Sequence, residues 1–147
     1  MIKNILVLAI SLLGYSAFAQ NTNTLLNNYL SVKNALVNSD EKAANQAIGI
    51  LCEGIKAENN FAQKEALLKA AEKMTKAESV EKQRAVFNEV STTMWQLVKN
   101  STNVSQPVYY QYCPMKKVYW LTNEAAIKNP YYGSSMLTCG KVSESIN

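Results

Sequence analysis

Four sulfur-bearing side chains fall in two short clusters toward the C-terminus, Cys113-Pro114-Met115 and Met136-Leu137-Thr138-Cys139-Gly140. Two thiols and two thioethers make a soft donor set, suited to Cu(I) or Ag(I) and poorly suited to magnesium or calcium. The spacing lets each cluster converge. Pro114 disfavours helix at Cys113, and in an extended chain residues two apart project to the same side, so Cys113 and Met115 are expected to share a face. Met136 and Cys139 are three apart, which one helical turn would align. The metal ligands read from these residues are Cys113, Met115, Met136 and Cys139, with copper(I) or silver(I) as the ion. The chain has no histidine, so the commonest zinc ligand and the commonest general base are both missing. Binding rather than catalysis is expected.

The same cysteines allow a second reading. A Cys113–Cys139 disulfide would staple the tail, and closing a loop of that length stabilises by roughly 3–4 kcal/mol in the chain-entropy model. Both methionines would then be packing. The two arrangements can alternate with redox state but cannot coexist in one molecule. Zinc is a weaker fit, because methionine substitutes poorly for its usual ligands. Cys52 falls on an apolar helical stripe and is expected to be a core thiol. Tyrosines and Trp120 crowd residues 108–133. Such rings can stack sugars or peptides, but packing of a tail poor in aliphatic residues is the preferred reading.

These clusters need a scaffold. Residues 1–19 read as an export signal, with Lys3 at the start, an apolar stretch from Ile5 to Leu13, and Ala17-Phe18-Ala19 as the cleavage site. The apolar stretch is shorter than the about 20 residues that span a bilayer. Cleavage after Ala19 would leave residues 20–147 as a single periplasmic domain with no membrane insertion. Residues 22–100 show helical periodicity. Leu25, Leu26, Tyr29, Leu30 and Leu36 make the first stripe, and Ala44, Ala47, Ile48, Leu51, Cys52 and Ile55 the second. Phe61, Leu67, Leu68, Ala71 and Met74 make the third, and Val80, Phe87, Val90, Met94, Leu97 and Val98 the fourth. Ser39 is expected to cap the second helix, Asn60 with Gln63 to form a capping box for the third, and the fourth to begin near residues 76–79, with Thr75 or Ser79 as its cap. The expected fold is mainly α, an up-and-down four-helix bundle. A compact C-terminal segment, residues 107–142, carries the aromatics and the Cys/Met clusters and packs on the bundle. Within it Val108 to Tyr112 has strand-like residues, and Thr122 is placed to cap one helical turn over Glu124 to Lys128.

Charge and motif content exclude several classes. The formal net charge is +4, but the lysines alternate with glutamates, and Lys116-Lys117 is the only adjacent basic pair after the leader. Nucleic-acid binding calls for a basic patch, and none is seen. Glycine loops that cradle phosphate are absent, and Asp40 is the sole aspartate. No enzymatic activity is expected. Asn100-Ser101-Thr102 and Asn103-Val104-Ser105 match the glycosylation acceptor pattern, which carries weight only in a eukaryotic source.

The tail resembles a bacterial family, domain of unknown function 3347. The resemblance rests on Gln111-Tyr112-Cys113-Pro114-Met115, Trp120-Leu121-Thr122, Ile127-Lys128-Asn129-Pro130-Tyr131-Tyr132-Gly133 and Met136-Leu137-Thr138-Cys139-Gly140. In the helical part it rests on Leu30, Leu36-Val37 and Arg84-x-x-Phe87-x-x-x-Ser91, so that it spans nearly all of residues 22–142. Members of that family occur as short exported proteins and as domains attached to periplasmic adaptors of heavy-metal efflux pumps. The resemblance thus implies copper or silver handling, with an efflux adaptor as a partner, and favours the metal site over the disulfide. With the four sulfurs as ligands, Pro114, Asn129, Pro130 and Gly133 are expected to be scaffold that holds the two segments at bonding distance. Many members place histidine where this chain has Tyr112, and if that imidazole helps bind metal, the site here is poorer or all-sulfur. The rival expectation is a disulfide-stapled helical interaction module that binds a protein or glycan without metal.

Overall fold

The computed structural model describes the backbone of residues 14–147 and the side chains of residues 22–147. The export signal expected over residues 1–19 lies outside the described residues, apart from the backbone of residues 14–19, which is helical. The chain is mainly helical with a small antiparallel sheet at its C-terminal end. Helices α1 (Gly14–Val37), α2 (Glu41–Ala57), α3 (Lys64–Thr75) and α4 (Val80–Lys99) come first. Strands β1 (Val108–Cys113), β2 (Val118–Thr122) and β3 (Lys141–Ile146) follow, with a short 3₁₀ turn at Gly133–Ser135 between β2 and β3. Among the described residues no helix is long and apolar enough to cross a membrane.

The helices bury the stripes that their periodicity marks. Leu25, Leu26, Tyr29 and Leu36 of α1, Ile48, Leu51 and Ile55 of α2, Leu67 and Met74 of α3, and Phe87, Val90 and Met94 of α4 share one core. Each helix packs on the next in sequence, and α1 also meets α4. The helix starts differ in part from expectation. Asp40, not Ser39, caps α2, its carboxylate accepting from the Ala43 N–H at 2.9 Å. Ser39 sits at φ 53°, and its hydroxyl is used elsewhere. The Asn60–Gln63 box does not form, because α3 begins at Lys64 without a side-chain cap. Ser79 caps α4 through the Lys82 N–H at 3.3 Å, as the register change there predicts.

The tail is more regular than expected. It is a three-stranded antiparallel sheet in the order β2-β1-β3, with Gln111 opposite Trp120 and Cys113 opposite Val118. The segment after Thr122 is irregular and forms no helical turn over Glu124 to Lys128. A turn at Pro114–Lys117 joins β1 to β2, closed by the Lys117 N–H on the Cys113 carbonyl at 2.8 Å, with Lys117 at φ 56°. Alternation puts Tyr110, Tyr112, Tyr119 and Leu121 on one face and Gln111, Cys113 and Trp120 on the other. The first face meets the helices. Trp95 of α4 stacks on Tyr110, Tyr110 on Tyr119, and Tyr112 tilts against Tyr119, all at centroid separations of 4.6–4.7 Å.

An unpaired sheet edge must find partners for its backbone groups. The outer edge of β2 finds them in helical side chains. The Tyr119 N–H donates to Asn88 Oδ1 at 2.8 Å, and the Leu121 N–H donates to Tyr29 Oη at 3.0 Å. Tyr29 in turn hydrogen-bonds Ser91 Oγ at 2.7 Å, and the Tyr131 hydroxyl donates to the Tyr119 carbonyl. The sheet is therefore bonded to the helices and cannot be a loose appendage.

Candidate functional site

Cys113 closes β1 on the face that it shares with Gln111 and Trp120, fully buried. Cys139 lies on the chain returning toward β3. Their sulfurs are 3.9 Å apart, and both thiols are free. Residues 26 apart in sequence are brought together by the β1–β3 pairing of Tyr112 with Lys141 and by the fully buried Asn129. Its side-chain NH₂ donates to the Cys139 carbonyl at 2.6 Å, and its Oδ1 accepts from the Tyr131 N–H at 2.8 Å. Its backbone N–H donates to the Leu137 carbonyl at 2.7 Å, and its carbonyl accepts from the Gly133 N–H at 2.9 Å. One asparagine thus ties the Asn-Pro-Tyr-Tyr-Gly turn to the second sulfur cluster.

That turn is itself clamped to the helices. Arg84 Nε donates to the Pro130 carbonyl at 2.7 Å, and its Nη2 reaches the Leu36 carbonyl at 2.6 Å and Ser39 Oγ at 2.9 Å. The guanidinium therefore caps the C-terminal end of α1 while holding the tail, a planar fork that lysine cannot imitate. Gly133 passes so close that a Cβ there would lie 2.7 Å from Arg84 Nη2 and 3.0 Å from the Val37 carbonyl, and its φ is +56°. Only glycine fits that approach without strain. Three residues further along α4, Phe87 stacks on Tyr29 and tilts against Tyr131. Arg84, Phe87 and Ser91 are thus one helix face holding the tail.

The four sulfur residues are placed unequally. Met136 precedes Cys139 by one turn, with the Cys139 N–H on the Met136 carbonyl at 3.1 Å, close to the expected helical-turn spacing. Met115 does not share the face of Cys113. It sits in the hairpin turn, where β1 has already ended, with 66% of its surface exposed, and Met136 is 40% exposed. The Met115 backbone N–H nevertheless reaches the Cys139 sulfur. Burial pushes the Cys139 thiol above its ordinary pKa, and the adjoining Cys113 adds to the rise, while that N–H works against it.

The donor set can be tested against candidate ions. A metal bonded to both sulfurs at about 2.3 Å would see them at roughly 115°, an angle that leaves room for further ligands. Among the described residues no group of three or more histidine, cysteine or carboxylate side chains is assembled for a metal. A closed four-ligand zinc site is therefore not formed there, and the two methionines lie in the turns that adjoin the thiols. Cys52 lies in the α2 stripe, where burial chiefly raises its thiol pKa, away from this pair and as a core residue should.

Two buried groups beside the site, Gln111 and Trp120, appear in the sequence only as motif residues and aromatics, without the roles that the fold gives them. Gln111, opposite Trp120 and two residues before Cys113, donates to the Ala125 carbonyl at 3.1 Å and holds the segment after β2. The indole of Trp120 lies under Gly140, where an added Cβ would come within 2.7 Å of the ring. A buried glutamine in a strand of tyrosines carries no periodic signal, so its hold on the segment after β2 is seen only in the fold.

The fold defined by these contacts is a mainly helical domain with a small C-terminal sheet and a clamped thiol pair. A family model described as "Protein of unknown function (DUF3347)" matches residues 25–106, and the chain belongs to that family. The match covers α1 from Leu25, the whole of α2, α3 and α4 and the linker, including Arg84, Phe87 and Ser91, while both sulfur clusters lie beyond it. No curated protein and no solved structure matches the chain.

Proposed function

We propose that this is an exported, periplasmic protein that binds Cu(I) or Ag(I) through the thiolates of Cys113 and Cys139. Met115 and Met136 supply weaker, selective thioether contacts, and the protein serves as a buffer or as a carrier to a heavy-metal efflux adaptor. The helices form an up-and-down four-helix bundle that acts as a rigid support, and no catalytic role is assigned. The observation that carries the reading is the 3.9 Å approach of two free thiols with thioethers in the adjoining turns. Thiolates bind soft ions strongly and are deprotonated by the metal they ligate. Neutral thioethers add affinity for Cu(I) and little for zinc.

Competition for Cu(I) against a chromogenic chelator under reducing conditions tests this. Cys113→Ser or Cys139→Ser should abolish tight binding, and Cys52→Ser should leave it nearly intact. Uptake of one Cu(I) with unchanged affinity by the Cys113→Ser, Cys139→Ser double variant would refute the site. The same sulfur contact also favours the second reading, a disulfide-stapled interaction module. Thiol counting on protein taken from the oxidising compartment separates the two, with three free thiols for the metal site and one for the staple.

A further inference from the structure

The three free thiols differ in what can reach them. Cys113 is fully buried at the end of its strand, and Cys52 is buried in the helical core. Cys139 is half-buried and lies in an irregular stretch between the 3₁₀ turn and β3. Met136 and Thr138 before it are exposed, and so are residues 114–117 of the hairpin turn, from which the Met115 N–H reaches the Cys139 sulfur. The Cys139 backbone is held by Asn129 and by the Met136 carbonyl, which leaves its side chain free to turn. The Cys113 sulfur stands 3.9 Å behind it. A disulfide bond of about 2.05 Å asks the two to approach by roughly 1.9 Å. A reagent arriving from solvent therefore meets Cys139 first.

We propose that the pair is an exchange site for small-molecule disulfides, with Cys139 as the entry thiol and Cys113 as the resolving thiol, and that this exchange gates the ion. The gating rests on the reading that Cys113 and Cys139 hold a soft monovalent ion; the order of exchange does not. In the first step the Cys139 thiolate attacks one sulfur of the small disulfide. A bond forms between them, the small disulfide's own S–S bond breaks, and its other half leaves as a thiolate that takes the proton given up by Cys139. In the second step the Cys113 thiolate attacks the Cys139 sulfur. The internal disulfide forms, and the second half leaves as a thiolate that takes the proton of Cys113. The chain loses two electrons and the small disulfide gains them. Burial sets the order, because exchange needs access to the attacking sulfur. The oxidised pair has no thiolate left to bind an ion, and an ion held by both sulfurs leaves no free thiolate to attack. Holding the ion and exchanging disulfides therefore exclude each other.

The test uses the full chain, reduced and metal-free, mixed with oxidised glutathione at about pH 8, where thiols begin to ionise. Samples are quenched with acid, weighed intact and digested to locate any adduct. The wild type should end as the internal disulfide with no glutathione attached. Cys113→Ser should stall with one glutathione on Cys139, and Cys113→Ala serves the same purpose if the serine disturbs the tail. Cys139→Ser should react at Cys113 at least about tenfold more slowly than Cys113→Ser reacts at Cys139, with unchanged circular dichroism. A wild type that ends as a glutathione adduct, or a Cys139→Ser chain that reacts as fast as Cys113→Ser, would overturn the exchange order. One equivalent of Ag(I) should slow oxidation of the wild type about tenfold or more, and the oxidised chain should take up no Ag(I). A chain that exchanges in this order but binds no Ag(I) when reduced overturns the metal reading alone. One that binds Ag(I) tightly yet oxidises at its metal-free rate overturns the gating alone.

Discussion

Replacing Asn129 by alanine removes a brace of the thiol pair while leaving both thiols in place. The side chain is fully buried and makes two hydrogen bonds, 2.6 Å to the Cys139 carbonyl and 2.8 Å from the Tyr131 N–H. A buried group stripped of its partner costs about 1–3 kcal/mol, so two of them give about 2–6 kcal/mol. The backbone bonds of Asn129 to Leu137 and Gly133 survive the substitution, which argues for the lower half of that range. Native domains have only about 5–15 kcal/mol to lose, so the loss is readily measured. Urea unfolding of the reduced protein should show a midpoint lower by roughly 1–2 M at unchanged slope, given slopes of about 1–3 kcal/mol/M. Formation of the Cys113–Cys139 disulfide by a small oxidised thiol should slow in parallel, because Cys139 is no longer held against Cys113. Asn129→Asp should be worse than alanine, since it buries a carboxylate against a carbonyl. A loss below about 0.5 kcal/mol in Asn129→Ala, with unchanged oxidation rate, would refute the reasoning.

Arg84→Ala should cost about 2–4 kcal/mol in urea unfolding, because it frees the Leu36 and Pro130 carbonyls together, and Arg84→Lys should recover only part of that, since one ammonium cannot reproduce the fork. Gly133→Ala should cost about 1–3 kcal/mol by thermal or urea unfolding, from its positive φ and the contact with Arg84. Above pH 10 the protein should lose stability. Burial raises the hydroxyl pKa of Tyr29 and of Tyr131, and that of Tyr110 to about 12. The unfolded chain therefore sheds these protons first, and stability present below pH 10 falls by up to about 1.4 kcal/mol per pH unit for each tyrosine. Buried Lys33 acts in the opposite sense, its pKa lowered chiefly by desolvation, and that gain is complete only about one pH unit above the unfolded lysine value of 10.5, so the tyrosine slope is read from about pH 11.5 upward. Tyr29→Phe should flatten the slope, and an unchanged slope would show that its ionisation is not coupled to folding.

Helix placement was legible in the sequence because it is local. An apolar residue every three or four positions states which face is buried, and the stripes from Leu25 to Val98 became the core with Cys52 among them. Ser79 could be read as a cap for the same reason, since the cap and the N–H it serves are three residues apart. The soft donor set was legible as chemistry, from residue types alone. What stayed hidden depends on pairs far apart in the chain. The partner of Ser39 is Arg84, which draws the serine out of the capping role that its position suggested. Tyr29 and Asn88 serve the edge of a strand that comes much later in sequence, and no helical period encodes that duty. Met115 was expected beside Cys113 on the assumption that the strand ran on, but the hairpin turn at Pro114–Lys117 carries it into solvent. The approach of Cys139 to Cys113 required Asn129, Gly133 and Arg84 to act together, three residues in two elements joined by hydrogen bonds. Periodicity reports which way a side chain faces; only the folded chain decides which other side chain it meets there.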